Sequence, residues 1–214
     1  MRLADARRDQ YRRLAKDQGY RARSAYKLLQ MNSSYNILKK GDKVVDLGCA
    51  PGGWLQVAIK EVGLSGKVVG VDLKPVAPVA GATILQGSIE DPNMLSKIAE
   101  ILGCKADVVL SDLAPNVSGV WDIDHARQIS LSTIAFGFAQ QMLRVGGGAV
   151  FKVFEGEMLN EFRLELRNSF GKVLLSKPSA SRHESSELYM VCLNLHNNLK
   201  TQDHFRKYLN KLNY

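Results

Sequence analysis

Cysteine is scarce in this chain: Cys49, Cys104 and Cys192 are far apart and odd in number. With no CxxC and no paired histidine they form neither a disulfide framework nor a zinc-binding pattern. They are expected to be reduced, and no metal centre is expected. Long apolar runs are absent too, so nothing in the sequence has the length to cross a bilayer. The opening residues, MRLADARRDQYRRLAKDQ, lack the apolar core of a secretion signal. A cytoplasmic protein without membrane contact is therefore expected. The chain also lacks G-x-G-x-x-G at its one glycine-rich turn, which weakens a dinucleotide or P-loop assignment there.

What the chain has in excess is positive charge. Twenty-nine lysines and arginines face 21 aspartates and glutamates, a net charge of +8 over 214 residues. Such a balance favours an acidic partner, with nucleic acid foremost. The length suits one large domain with a single core. Basic residues crowd residues 1–40, where Tyr11, Tyr20, Tyr26 and Tyr35 are interleaved with them. This arm reads as two helices around a break at Gly19, the second over Ser24–Met31, with Leu28 and Leu29 inward. Basic and aromatic groups together suit a phosphate backbone and unstacked bases; a solvated amphipathic arm is the blander alternative. Arg23 and Lys27 lie four apart, hence on one helical face.

From Gly41 short β-rich runs alternate with helical windows. Strands are predicted at Lys43–Leu47, Lys67–Leu73, Ala82–Gln86, Ala106–Ser111, Gly148–Phe154, Lys172–Ser176 and Leu188–Leu195. Helices are predicted at Trp54–Val62, Pro92–Leu102, Asp124–Leu143 and Glu157–Asn168. The alternation implies an α/β fold, a mostly parallel sheet with helices on both faces. The last two strands have no long helix between them and should pair antiparallel. The chain thus divides into a basic arm (1–40), a core (41–198) and a basic tail (199–214). The tail is either a docked helix or extra RNA-binding surface.

The stretch VVDLGCAPGGW is the centre of this pattern. A strand ends in Asp46, and Gly48, Gly52 and Gly53 build a tight turn into a helix opened by Trp54. Such a turn lets a ligand approach the backbone and the unpaired N–H groups of the new helix. An ordinary strand–helix turn is the alternative on this segment alone. The next strand, VVGVDL, ends in Asp72, which can accept both hydroxyls of a ribose. ATILQGS places Ser88 near where an adenine would lie. Asp112, in VVLSDLAPN, stands at the end of the fourth strand.

With DLGCAPGGW, SDLAPNVSG and VFKVFEG in order, the sequence resembles the FtsJ/RlmE family of RNA ribose 2'-O-methyltransferases from Arg21 to about Leu195. The resemblance implies a Rossmann-like class I methyltransferase fold, seven strands with an antiparallel last strand, and S-adenosyl-L-methionine as cofactor. It also implies a Lys-Asp-Lys-Glu tetrad, matched by Lys27, Asp112, Lys152 and Glu187. Matching cofactor positions are Gly52, Trp54, Asp72 and Asp112, with Asp46, Gly48 and Gly53 beside them. Ser88 stands where the family has aspartate. The implied substrate is RNA, foremost a uridine of large-subunit (23S) ribosomal RNA, free or in the assembled subunit; the transfer RNA anticodon loop is the alternative. A non-catalytic RNA-binding protein on the same fold fits less well, since a binder has no need of all four tetrad residues. The enzyme is expected to act as a monomer.

The chemistry fits those residue types. A ribose hydroxyl must lose its proton while oxygen, methyl and sulfur are held in line. Lys152 is the candidate base, although an unperturbed lysine is neutral only about once in a thousand molecules near pH 7. Lys27 and desolvation would push Lys152 towards neutrality, while Asp112 and Glu187 would hold its proton; the balance is left open. Arg21, Arg23, Lys177 and Arg182 are candidate RNA contacts. His125, Glu155 and Glu157 are expected to serve helix starts rather than catalysis.

Overall fold

The computed structural model describes residues 3–181 and 185–197, with side chains from Gln10 onward. Arg182 and the tail at 199–214 lie outside the described residues. Two helices, α1 (Leu3–Asp17) and α2 (Ala25–Tyr35), precede a seven-stranded sheet. Strands β1 (Lys43–Leu47), β2 (Lys67–Asp72), β3 (Ala82–Gln86), β4 (Ala106–Ser111), β5 (Leu143–Phe154), β6 (Phe170–Ser176) and β7 (Glu187–Leu195) lie in the order β3-β2-β1-β4-β5-β7-β6. β1 to β5 pair in parallel, and β7 inserts antiparallel between β5 and β6. The reversed final strand is the one expected from the missing helix between the last two strands.

Side chains alternate across each strand. Val45, Leu47, Val69, Val71, Val109 and Phe151 pack one face of the sheet under α4 (Pro92–Leu102), α5 (Trp121–Met142) and α6 (Leu159–Ser169). Val44, Val68, Val108, Leu110 and Val150 pack the other face against α2 and α3 (Gly53–Val62). The basic arm is thus anchored to the core at its second helix. Ala25, Leu28 and Met31 are buried, and Leu29 is half-buried against the same cluster. α1 is tied in by Tyr11, whose ring lies 5.4 Å from that of Tyr26 and whose hydroxyl is 3.0 Å from Ser179 Oγ.

Several boundaries differ from expectation, three of them by more than a residue at the start of an element near the site. β5 begins at Leu143, directly after α5 with no loop, because Leu143 registers with Ala106 and a bulge then realigns Gly148 opposite Val108. Glycines 146–148 accommodate this irregular pairing; a Cβ on Gly147 would come within 2.9 Å of the Asp107 carbonyl. α5 starts at Trp121, three residues early, and α6 starts at Leu159, leaving exposed Glu155 and Glu157 in the preceding loop.

Candidate active site

The parallel strands deliver Asp46, Asp72, Asp112 and Lys152 at or near their C-terminal ends, the edge where open α/β sheets bind ligands. β7 runs the other way, so its first residue, Glu187, reaches the same edge. The pairing sets Lys152 opposite Tyr189 and Phe154 opposite Glu187. Cross-strand neighbours sit within side-chain reach of one another.

The four residues matched from separate parts of the chain meet here. Lys152 Nζ lies 2.8 Å from Asp112 Oδ1 and 3.3 Å from Glu187 Oε2. Lys27 Nζ forms a largely buried ion pair with the other Glu187 oxygen. Glu187 therefore joins the two lysines. Both lysines are only 8% exposed, so these are not solvated surface pairs. Desolvation pushes the Lys152 pKa down, but Asp112 and Glu187 outweigh it, and the pKa lies above the ordinary lysine value. Burial likewise works against the Glu187 carboxylate, yet Lys152 and Lys27 bring its pKa down to about 2. The balance left open by the sequence thus falls on the side of a charged Lys152 in the resting protein.

Tyr189 is a fifth member that sequence reasoning missed. Its buried hydroxyl accepts from Lys27 Nζ at 3.3 Å and can donate to Asp112 Oδ1 at 2.9 Å or to Glu187 Oε1 at 3.1 Å. The available signal was its position two residues beyond Glu187, on the same face of a strand. Also unforeseen is the clamp from α5. Gln128 Nε2 donates to the carbonyls of Lys152 (2.9 Å) and Leu113 (3.1 Å), and Ser132 Oγ lies 2.7 Å from the Lys152 carbonyl. Asp124, the residue expected to open α5, accepts instead from Ser118 N (2.7 Å) and Gly119 N (3.0 Å). Those bonds, the Ser118 N–H foremost, hold its pKa below the usual range and fix the loop after Asp112.

The glycine turn forms the other half of the edge. Gly48 has φ +76°, and a Cβ there would meet the Leu113 side chain at 2.9 Å. Gly52 has φ +108°, a left-handed conformation closed to most side chains, and leads into α3. Gly53 and Trp54 follow as the first helical residues, with unpaired N–H groups. The Trp54 side chain turns under: its indole N–H donates to the Ser24 carbonyl at 2.8 Å, and its ring packs 5.8 Å from that of Tyr189. Any contact of Trp54 with a ligand would therefore come from its backbone. Asp72 Oδ2 accepts from Ala50 N and Oδ1 from Lys74 N, each at 2.8 Å, leaving further lone pairs on both oxygens. Ser88 follows β3 and accepts from Glu90 N, while Gly87 N donates to the Asp72 carbonyl.

Asp46 is wholly buried, and among the described residues neither carboxylate oxygen has a hydrogen-bond partner. Burial, then the nearby Asp112 and Asp72, push its pKa well up. An unpaired buried carboxylate is costly, and a cationic ligand group at this edge would relieve it. The left-handed glycines, the two-oxygen acceptor at Asp72 and the orphaned Asp46 fit a ligand carrying an ammonium group and a ribose. Cys49, in the same turn, is buried with its thiol pKa pushed up to about 12, which leaves it inert.

The predicted RNA contacts are placed less uniformly. Arg21 clamps the turn from outside, donating to the carbonyls of Pro51 (3.2 Å), Ala77 (2.5 Å) and Pro78 (2.5 Å). Arg23 is half-buried, 3.4 Å from the Ala180 carbonyl. Lys177 is exposed. His125 is buried within α5 and accepts from Met158 N at 3.1 Å.

Comparison with known proteins follows the same lines. The model of the FtsJ-like methyltransferases matches residues 20–195. "Ribosomal RNA large subunit methyltransferase E" of Nitrosopumilus maritimus is 51% identical over 193 residues, covering 90% of this chain and 98% of its own. The protein of the same name from Methanothrix thermoacetophila is 50% identical, over 88% of this chain and 73% of its own. Among solved structures, a Plasmodium falciparum protein named as a ribosomal RNA methyltransferase is 32% identical with a TM-score of 0.75, over 84% of this chain and all of its own. A family match across most of the chain, and relatives at half identity, leave one conclusion: the chain belongs to the FtsJ-like methyltransferases.

Proposed function

We propose that this protein is an S-adenosyl-L-methionine-dependent RNA ribose 2'-O-methyltransferase acting on large-subunit ribosomal RNA, at a uridine. One observation carries the reading: Lys27, Asp112, Lys152 and Glu187 converge beside a glycine turn built for a ligand. The named substrate of its half-identical relatives, large-subunit ribosomal RNA, supports the choice of RNA. When bound, the cofactor supplies a methyl group on a cationic sulfur.

The chain's own residues do the rest. Gly48 and Gly52 admit the donor to the backbone, Asp72 accepts its ribose hydroxyls, and Asp46 pairs with its ammonium group. Ser88 and the Gly87 backbone border the adenine side. Lys152 takes the proton from the ribose hydroxyl. In the resting protein it is charged, so its proton must first leave. A cationic donor and displacement of water at this edge both favour that loss, because each opposes a second positive charge nearby. Lys27, held by Glu187, adds a further cation. Asp112 and Glu187 aim the two ammonium groups, and the α5 clamp fixes the Lys152 backbone. Arg23, Lys177, Arg182 and the arm meet the RNA phosphates; Arg21 acts there only through the edge of its guanidinium not spent on the turn.

Incubation with labelled S-adenosyl-L-methionine and separate pools of large ribosomal subunits, free ribosomal RNA and transfer RNA tests this. Label should enter ribose of the large-subunit RNA. Label in transfer RNA alone, or in no RNA, would overturn it.

A further inference from the structure

Beside the lysine cluster lies an aromatic group that the reaction does not use. The Trp121 ring is nearly parallel to those of Phe154 (6.1 Å, 24°) and His125 (6.3 Å, 21°). It is nonetheless 47% exposed. The support beneath it is rigid. His125 is buried and held by Met158 N, and a Cβ on Gly156 would strike its ring at 2.6 Å. Val117, Val120, Ile123 and Met158 are exposed around the tryptophan. Phe154 stands two residues beyond Lys152, about 7 Å along the strand, and opposite Glu187. The exposed charges flanking these residues in sequence are mixed: Asp122, Glu155 and Glu157 are acidic, and Arg127, two residues beyond His125, is basic. The exposed Trp121 ring is itself uncharged and apolar, so it suits the face of a base rather than a phosphate.

We propose that Trp121 is the stacking platform for an unstacked base of the substrate RNA, the target uridine or its neighbour, while the ribose hydroxyl lies at Lys152. This rests on the function proposed above. An aromatic face is matched to a splayed base, and Phe154 and His125 pre-pay the ordering of the ring. Trp121 is thus a substrate-positioning residue that orders the nucleotide without taking part in proton transfer.

The protein has two tryptophans, and Trp54 is buried out of reach of a base, so contact quenching of the emission by RNA reports on Trp121. Single-stranded RNA carrying the target sequence should quench that emission in the wild-type protein, and the quench should vanish in Trp121→Phe. Trp121→Ala should raise KM for RNA about tenfold, the loss of one stacked base. Donor affinity and the salt dependence of RNA binding should not change, and Trp121→Phe should keep most of the wild-type KM. A wild-type KM in Trp121→Ala overturns the platform, as does a flattened salt slope, which would mean a phosphate contact. An effect seen only with assembled subunits and never with RNA overturns it too, since a protein would then be the occupant. Quenching without methyl transfer to any RNA supports the platform and counts only against the enzymatic reading.

Discussion

Two buried acidic sites share one edge of the sheet and are built in opposite ways. At Glu187 every charge has its answer: two lysines, a phenol and a second carboxylate satisfy one another before any ligand arrives. At Asp46 nothing answers, and a carboxylate is enclosed with no partner. The first site is preorganised and the second is held in deficit. Preorganised groups lower the reorganisation needed during reaction. A deficit makes the site prefer a cation-bearing ligand to empty space, at the expense of stability in the free protein. In the proposed reaction the difference would separate two tasks: one side positions for chemistry, the other for capture.

The sharpest way to break the contrast is Lys152→Ala, expected to lower methyl transfer roughly a thousandfold, within the range of general-base contributions. Donor binding by calorimetry should stay close to wild type, and near-normal turnover would remove Lys152 from the role of base. Next is Glu187→Ala, which takes the carboxylate from Lys27 and leaves Lys152 with Asp112 alone, and should destabilise the protein by about 3–5 kcal/mol in a thermal or urea melt. The pH dependence carries the sign. Glu187 is lowered from an ordinary 4.5 to about 2, so its stabilisation is full above pH 4.5 and fades as pH falls towards 2. Melting scans across that window should show a shallower loss in Glu187→Gln than in wild type.

Asp46→Asn should do the reverse. Its folded pKa is raised, so the wild type loses stability as pH climbs above the ordinary aspartate value of 3.8, and the amide removes that loss. The variant should melt higher at neutral pH yet bind the donor more weakly; an unchanged melting temperature would show that Asp46 is already relieved. Smallest is Tyr189→Phe, which deletes one bridging hydroxyl. About 1 kcal/mol of stability should go, with a displaced limb in the pH–rate profile rather than lost activity.

Much of this was legible from residues alone. The β1 and β4 boundaries follow from short β-branched runs stopped by glycine or by a strand-ending acid. The reversed β7 follows from the missing helix. Lys27, Asp112, Lys152 and Glu187 were matched through the family resemblance rather than from spacing, and the strand order with α2 beside it brings them together. What stayed hidden depends on packing. Beyond its place two residues after Glu187, little separates Tyr189 from a core tyrosine, and the cross-strand register with Lys152 brings its hydroxyl to the cluster. Trp54 sits at the turn in sequence but is drawn under it by the Ser24 carbonyl. The strand ending in Asp46 gave its direction, not that both its oxygens would be sealed without a donor. The early start of β5 came from a bulge, which hydrophobic patterning does not encode.

The reversed β7 also sets a schedule. The residues proposed to hold the donor, from Asp46 to Ser88, come early in the chain and Lys152 follows, but Glu187 and Tyr189 lie on the last strand of the sheet. Because β7 sits between β5 and β6, the carboxylate that joins Lys27 to Lys152 is in place only once that final strand is paired.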